Sequence, residues 1–203
     1  FHLHRVKMLS LSAFIFFCQW TMAQEILSLS DLSAFTQPAA NWRIAGDVQS
    51  DLTRNNIITT SNGTGILVNL PSSNANGHLI TKFEHGDLDL ELDYLMAKGS
   101  NSGIYLQGRY ELQLSDSWTG LQPKSGDNGG IYERWDEARL EGLKGYEGTP
   151  PRQNVTRAPG LWQHLKISFQ APRFEGGKKI SNAKILSVEL NGVLIQDNLE
   201  LTG

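Results

Sequence analysis

The sequence predicts an all-β protein built as a two-sheet antiparallel β-sandwich or jelly roll. Three observations carry this. Residues 87–95 read Asp-Leu-Asp-Leu-Glu-Leu-Asp-Tyr-Leu, a strict period of two with Leu88, Leu90, Leu92 and Tyr94 on one face and acids on the other. Short apolar-alternating segments recur along the chain between turn residues, at a spacing of roughly 8–12 residues. No helical periodicity of convincing length follows the N-terminal apolar run.

Taken in order, Leu27 to Ala34 is a short apolar-polar segment leading to a strand at Asn41-Trp42-Arg43-Ile44. Asp47 to Thr60 carries Val48, Ile57 and Ile58, and Asn62-Gly63 signals a turn. Gly65–Leu70 is a strand closed by Pro71, and Leu79–Phe83 is another. The acidic row of Asp87, Asp89, Glu91 and Asp93 reads as a solvated outer face rather than a metal site. After the segment 101–116, residues 120–157 form a long Gly-, Pro- and charge-rich connection; such connections in compact β domains are usually functional. Strand character returns at Leu161–Ala171 and Ile185–Leu190, and Asn191-Gly192 turns the chain into Val193-Leu194-Ile195.

The segment Asn101–Asp116 concentrates the most chemistry. It reads as two strands joined by a tight turn at Gly108-Arg109. Because strand side chains alternate between faces, Asn101, Gly103 and Tyr105 share one surface with Glu111, Gln113 and Ser115. A carboxylate, two amides and a phenol then converge on one side of a sheet. Sugars are read by such planar polar groups together with aromatic rings, and Trp118 and Trp135 in the following loop are the candidates for stacking on a sugar. Trp162, within a strand, is assigned to the core, and His85 and His164 to the surface.

Composition narrows the partners. The 203 residues carry a net charge of −3 with a pI near 6.0, and no basic stripe marks a nucleic-acid or anionic-membrane surface. Arg5 and Lys7 precede an apolar run from Met8 to Trp20, and Thr21-Met22-Ala23 approximates a small-residue cleavage site. Residues 1–23 therefore read as a secretory signal, and residues 24–203 as one exported domain, periplasmic or secreted, with no membrane span. Cys18 is the single cysteine and falls inside that signal, which leaves the mature domain without a disulfide or a thiolate metal site.

The order of these segments resembles the 3-keto-disaccharide hydrolase domain family, formerly a domain of unknown function. The matching stretches are Asp87–Tyr94, Asn101-Ser102-Gly103-Ile104-Tyr105, Arg109–Ser117, Gly130-Ile131-Tyr132, Pro151 with Asn154, Gly160-Leu161-Trp162 and Asn191-Gly192-Val193. The resemblance implies a concanavalin-like jelly roll. Relatives continue past the Asn-Gly hairpin with a strand carrying a His-Gly pair and an Arg-Asn-Ile segment, so it also implies a sandwich lacking its C-terminal closing strand. The charged insert Glu133–Gly148 is a further departure.

An ordinary glycosidase flanks the scissile bond with paired carboxylates. Here Gln113 stands where a second acid would be, and Asp116 reaches the Glu111 face only if the strand bulges. The resemblance implies other chemistry: a base removes the acidified C2 proton of a 3-keto sugar, the enolate expels the anomeric substituent, and water adds. On that basis Glu111, Asp116, Tyr132 and Arg134 are the catalytic candidates. Glu111 is acid/base or a metal ligand with Asp116 in support, and Tyr132 and Arg134 are donors on a mobile rim. Asn101, Tyr105 and Gln113 orient the ring, with Trp118 and Trp135 beside them. The partner is a 3-keto-glucoside or related disaccharide. No cofactor is demanded, although a divalent metal ion held by oxygen ligands fits such a site. The competing expectation is a non-catalytic carbohydrate-binding module on the same fold.

Overall fold

The computed structural model describes residues 25–203, so the expected signal and Cys18 lie outside the described residues. Among the described residues the regular elements are all strands, and none is a helix long and apolar enough to cross a membrane. In chain order they are β1 (Phe35–Thr36), β2 (Trp42–Ser50), β3 (Ile58–Asn69), β4 (Ile80–Thr81), β5 (Leu88–Leu95), β6 (Asn101–Leu106) and β7 (Tyr110–Ser115). They continue with β8 (Arg134–Trp135), β9 (Gly145–Tyr146), β10 (Trp162–Gln170), β11 (Arg173–Glu175), β12 (Lys178–Ser181), β13 (Ala183–Leu190) and β14 (Val193–Leu201).

Four strands in the order β14-β13-β10-β5 make one antiparallel sheet. Its inward side chains include Leu165, Ile167 and Phe169 from β10, Ala183, Ile185 and Val188 from β13, and Ile195 from β14. They pack against Leu106, Tyr110 and Leu112 of the β6–β7 hairpin and against Ile131. The core is thus the slab between the long sheet and the hairpin, an arrangement that buries one face of each. A second, smaller cluster of Ala45, Val48 and Val68 holds the β2–β3 ribbon together.

The expected alternation of β5 holds. Leu88, Leu90, Leu92 and Tyr94 lie against the core while Asp89, Glu91 and Asp93 are exposed. Those acids are not idle: His164 of β10 contacts Asp93 at 2.7 Å and Glu91 at 3.2 Å, and Asp87 takes both terminal nitrogens of Arg173.

Other expectations are corrected. Asn62-Gly63 is not a turn; it lies inside β3, where the backbone of Asn62 and Gly63 crosses close to Gly46, and a Cβ at 46 would sit 2.7 Å from the Asn62 carbonyl. The β2–β3 turn falls at 51–57 instead, closed by the Asp51 amide donating to the Ile57 carbonyl. Residues 79–83 supply only the short β4. Trp162 is exposed rather than core, because the parity of β10 turns Gln163, Leu165, Ile167 and Phe169 inward. The hairpin β11–β12, with Gly176 and Gly177 both at positive φ in its turn, was not expected from the sequence. Beyond Asn191-Gly192, β14 forms an edge of the long sheet.

Candidate active-site cleft

The β6–β7 hairpin pairs Asn101 with Ser115, Gly103 with Gln113 and Tyr105 with Glu111. The polar face expected from the alternation is therefore built, and its members bond to each other. The Tyr105 hydroxyl donates to Glu111 Oε2 at 2.6 Å, and Gln113 Nε2 donates to Asn101 Oδ1 at 2.6 Å. Gly103 lies between these pairs. A Cβ there would come within 2.7 Å of Glu111 Cγ, so the bare backbone of β6 is what lets Glu111 lie across the sheet. The connecting turn places Gln107 and Gly108 at positive φ. His85 braces it: its ring nitrogen accepts from the Gln107 amide at 3.2 Å, and its carbonyl accepts from Gln107 Nε2 at 3.0 Å.

The long connection is pinned to this hairpin rather than free. Gly129 and Gly130 exchange backbone hydrogen bonds with Gln113, and the Tyr132 amide donates to the Glu111 carbonyl at 3.0 Å. Ile131 in turn exchanges bonds with Thr149. Residues 129–132 thus act as a further strand beside β7. Tyr132, expected on a mobile rim, stands on backbone tied to the Glu111 strand, whereas Arg134, expected there too, pairs with Tyr146 in the β8–β9 ribbon.

A cleft of about 640 Å³ opens between these pieces. Tyr105 and Glu111 line its hairpin side, Tyr132, Glu133, Arg134 and Trp135 its loop side, and Glu147, Thr149 and Thr202 its far wall. Burial, reinforced by the hydrogen bond and negative charge of Glu111, pushes the Tyr105 phenol up to about 12. Its proton is therefore firmly held at neutral pH. Arg134 donates to Thr202 Oγ1 at 2.8 Å, reaches Glu147 at 3.4 Å and lies 5.0 Å over the Tyr146 ring. Thr202 also donates to Glu147, and this hydroxyl, together with Arg134, holds the Glu147 carboxyl below the usual carboxylate range.

Five of the residues singled out in the sequence meet in this cleft: Tyr105, Glu111, Tyr132, Arg134 and Trp135. Asn101 and Gln113 are on the same sheet face but outside the lining, with Gln113 only 3% exposed. Asp116 is at the opposite end of the hairpin from the Tyr105–Glu111 pair. The strand does not bulge there, and Asp116 Oδ2 accepts the Gly99 amide at 2.8 Å, closing the turn into β6. Trp118 is exposed but is not part of the lining.

Residues not anticipated include Glu133, Glu147, Thr149 and Thr202 from the loop and the end of β14, and His78, whose ring stands edge-on to Tyr105 at 6.4 Å between centroids. Two glycines leave Glu133 its room: a Cβ at Gly148 would lie 2.6 Å from Glu133 Cγ, and one at Gly145 would lie 3.1 Å from its Cδ. Among the described residues no group of three or more His, Cys, Asp or Glu side chains is arranged to hold a metal ion.

Among curated proteins none matches this chain. A crystal structure from Parabacteroides distasonis, provisionally described as a glycosyl hydrolase, is 26% identical with a TM-score of 0.47 over 61% of this chain. The alignment spans 50% of that protein's length. The model of the 3-keto-alpha-glucoside-1,2-lyase-like domain matches residues 30–203, which takes in every strand described above, and the chain belongs to that family.

Proposed function

We propose that this protein cleaves 3-keto-glycosides by elimination across C1 and C2 of the oxidised sugar, followed by addition of water. Family membership supports a carbohydrate-active hydrolase or lyase. The observation that carries the finer reading is the 2.6 Å pair of Glu111 and Tyr105 opening on the cleft. It sets a proton acceptor beside a proton donor, the two functions that elimination requires.

In this reading Glu111 takes the C2 proton, and the C2–H electrons move into the C2–C3 bond as the C3 carbonyl becomes an enolate. The enolate reforms the ketone, a C1–C2 double bond appears, and the C1–O bond to the aglycone breaks. The leaving oxygen needs a proton, and Tyr105 is the donor in reach of the same carboxylate; its raised pKa keeps it protonated until then. Tyr132 supplies a hydroxyl from the loop side. Arg134, already engaged with Glu147 and Thr202, shapes the wall rather than reacting. Water then adds across the double bond, giving net hydrolysis. The charged-then-apolar N-terminus supports export of the protein.

A non-catalytic carbohydrate-binding module is favoured by one observation, the exposed rings of Tyr132 and Trp135 beside the cleft. The two readings part in one experiment. Incubation with a 3-keto-disaccharide releases the free sugar with the wild type, and Glu111→Gln slows release by about a hundredfold or more. Saturable binding without release, or a Glu111→Gln variant as active as wild type, overturns the enzymatic reading.

A further inference from the structure

We infer that His78 is a further carbohydrate-binding residue, whose imidazole takes one hydroxyl group of a glycoside bound at the Glu111–Tyr105 pair. The inference rests on the proposed reading of the cleft and adds a residue from outside its lining. Polar side chains follow one another across this part of the sheet. Glu111 on β7 is opposed by Tyr105 on β6, and on the other side of β7 the Tyr132 amide bonds the Glu111 carbonyl. His78 adds a fourth member beside Tyr105. Its ring stands edge-on to the Tyr105 ring, with centroids 6.4 Å apart and an angle of 69° between the planes. Both side chains reach solvent, Tyr105 being 49% exposed and His78 exposed as well. The Tyr105 hydroxyl is committed to Glu111, so His78 brings the free hydrogen-bonding groups at this end of the row.

Three histidines lie among the described residues, and the other two are occupied through both ring nitrogens. His85 donates from Nδ1 to the Gly86 carbonyl at 2.9 Å and accepts the Gln107 amide at 3.2 Å. His164 contacts Asp93 at 2.7 Å and Glu91 at 3.2 Å. Among the described residues neither ring nitrogen of His78 has a hydrogen-bond partner; its ring meets Tyr105 instead. A neutral imidazole offers one donor and one acceptor, so it pairs with a hydroxyl in either sense. The backbone that carries it is held firmly. The Gly77 amide donates to Asn41 Oδ1 at 3.1 Å, and the Gly77 carbonyl accepts from Asn41 Nδ2 at 3.0 Å and Trp42 Nε1 at 2.7 Å. Asn41 is only 3% exposed, and a Cβ at Gly77 would lie 2.6 Å from Ala39 Cβ, so the absence of a side chain is what seats this backbone. A buried amide and an indole thus fix the residue next to an unbonded imidazole beside the proposed reacting pair. A group already held in place loses little freedom when a ligand arrives.

Two substitutions in the intact chain separate hydrogen bonding from ring packing. His78→Phe keeps an aromatic ring against Tyr105 and removes the nitrogens, whereas His78→Gln keeps a donor and an acceptor and removes the ring. With a 3-keto-disaccharide as substrate, His78→Phe is expected to raise KM by about tenfold with kcat within about twofold of the wild type. His78→Gln is expected to stay within about threefold of the wild type in KM. A His78→Phe variant with the wild-type KM overturns the assignment. So does a His78→Gln variant as impaired as His78→Phe, which would give the ring a packing role alone. Calorimetric binding separates this from failure of the reaction itself. If the wild type does not cleave the 3-keto-disaccharide but binds it, and His78→Phe weakens that binding about tenfold while His78→Gln preserves it, His78 stands and the elimination falls. If the wild type neither cleaves nor binds it, or binds it with an affinity that His78→Phe leaves unchanged, the assignment of His78 falls.

Discussion

Glu111 and Tyr105 face each other because they are directly opposed on neighbouring antiparallel strands, and Gly103 leaves the carboxylate room to lie flat. Their coupling has a measurable consequence. Tyr105 ionises near 12 against an ordinary 10.0, with burial the larger cause and Glu111 the next. The folded state therefore binds this proton more tightly than the unfolded chain. The associated stability is present in full below the ordinary tyrosine pKa and is lost as pH rises from there through the folded value. Ultraviolet titration of the phenolates is expected to show a late-ionising tyrosine that disappears in Tyr105→Phe. In Glu111→Gln it shifts to lower pH, because the hydrogen bond and charge of Glu111 are lost. A Tyr105 that titrates identically with and without the Glu111 charge contradicts the pairing.

At this scale the sequence was legible wherever period-two alternation decides a side chain's direction. It assigned the shared face of Asn101, Tyr105, Glu111 and Gln113 correctly. It could not separate Asp116, since a bulge or its absence is invisible without the partner strand, and the unbroken register sends Asp116 to Gly99. Nor could it see that Gly129 and Gly130 pair with the Gln113 backbone, a contact made by chain that is distant from the β6–β7 turn.

Among the elements, the connection between β7 and β10 decides whether the cleft exists. Buried amides fasten it. Gln196 of β14 donates from Nε2 to the carbonyls of Gly129 and Pro150 at 3.0 and 3.2 Å. Asn128 accepts from the Tyr94 hydroxyl at 2.9 Å and donates toward Gln163 and Thr156. Asn154 holds the carbonyls of Ser117 and Gly120. Each such bond satisfies a group that would otherwise be buried unpaired. Gln196→Ala is expected to cost about 1–3 kcal/mol in urea denaturation, and to speed hydrogen exchange at the Ile131 and Tyr132 amides more than in β10. Equal exchange rates in wild type and variant would contradict this fastening role. In the sequence these amides look like ordinary polar positions in or near strands. Their role depends on which strand parity faces inward, and that same parity turns Trp162 out to solvent.

Across the molecule, a two-layer sandwich carries the cleft at one side of the β6–β7 hairpin, with walls from the loop and from the end of β14. The fold class was readable because strand alternation and turn residues are local signals; the Asn191-Gly192 turn, with both residues at positive φ, is one that held. The Asn62-Gly63 signal failed because two glycines, 46 and 63, instead serve a close backbone crossing between strands. The far wall, Glu147 and Thr202, joins residues remote in the chain and carried no local mark.

In the proposed reaction Glu111 removes the C2 proton before the glycosidic bond is hydrolysed. Cleavage of a 3-keto-disaccharide in deuterium oxide tests it most directly, read by NMR within a time in which the free product exchanges no C2 hydrogen. Each hydrated sugar is expected to carry one solvent deuterium at C2, with cleavage and exchange by Glu111→Gln both slowed about a hundredfold or more. Hydrated product retaining its original C2 hydrogen would contradict it.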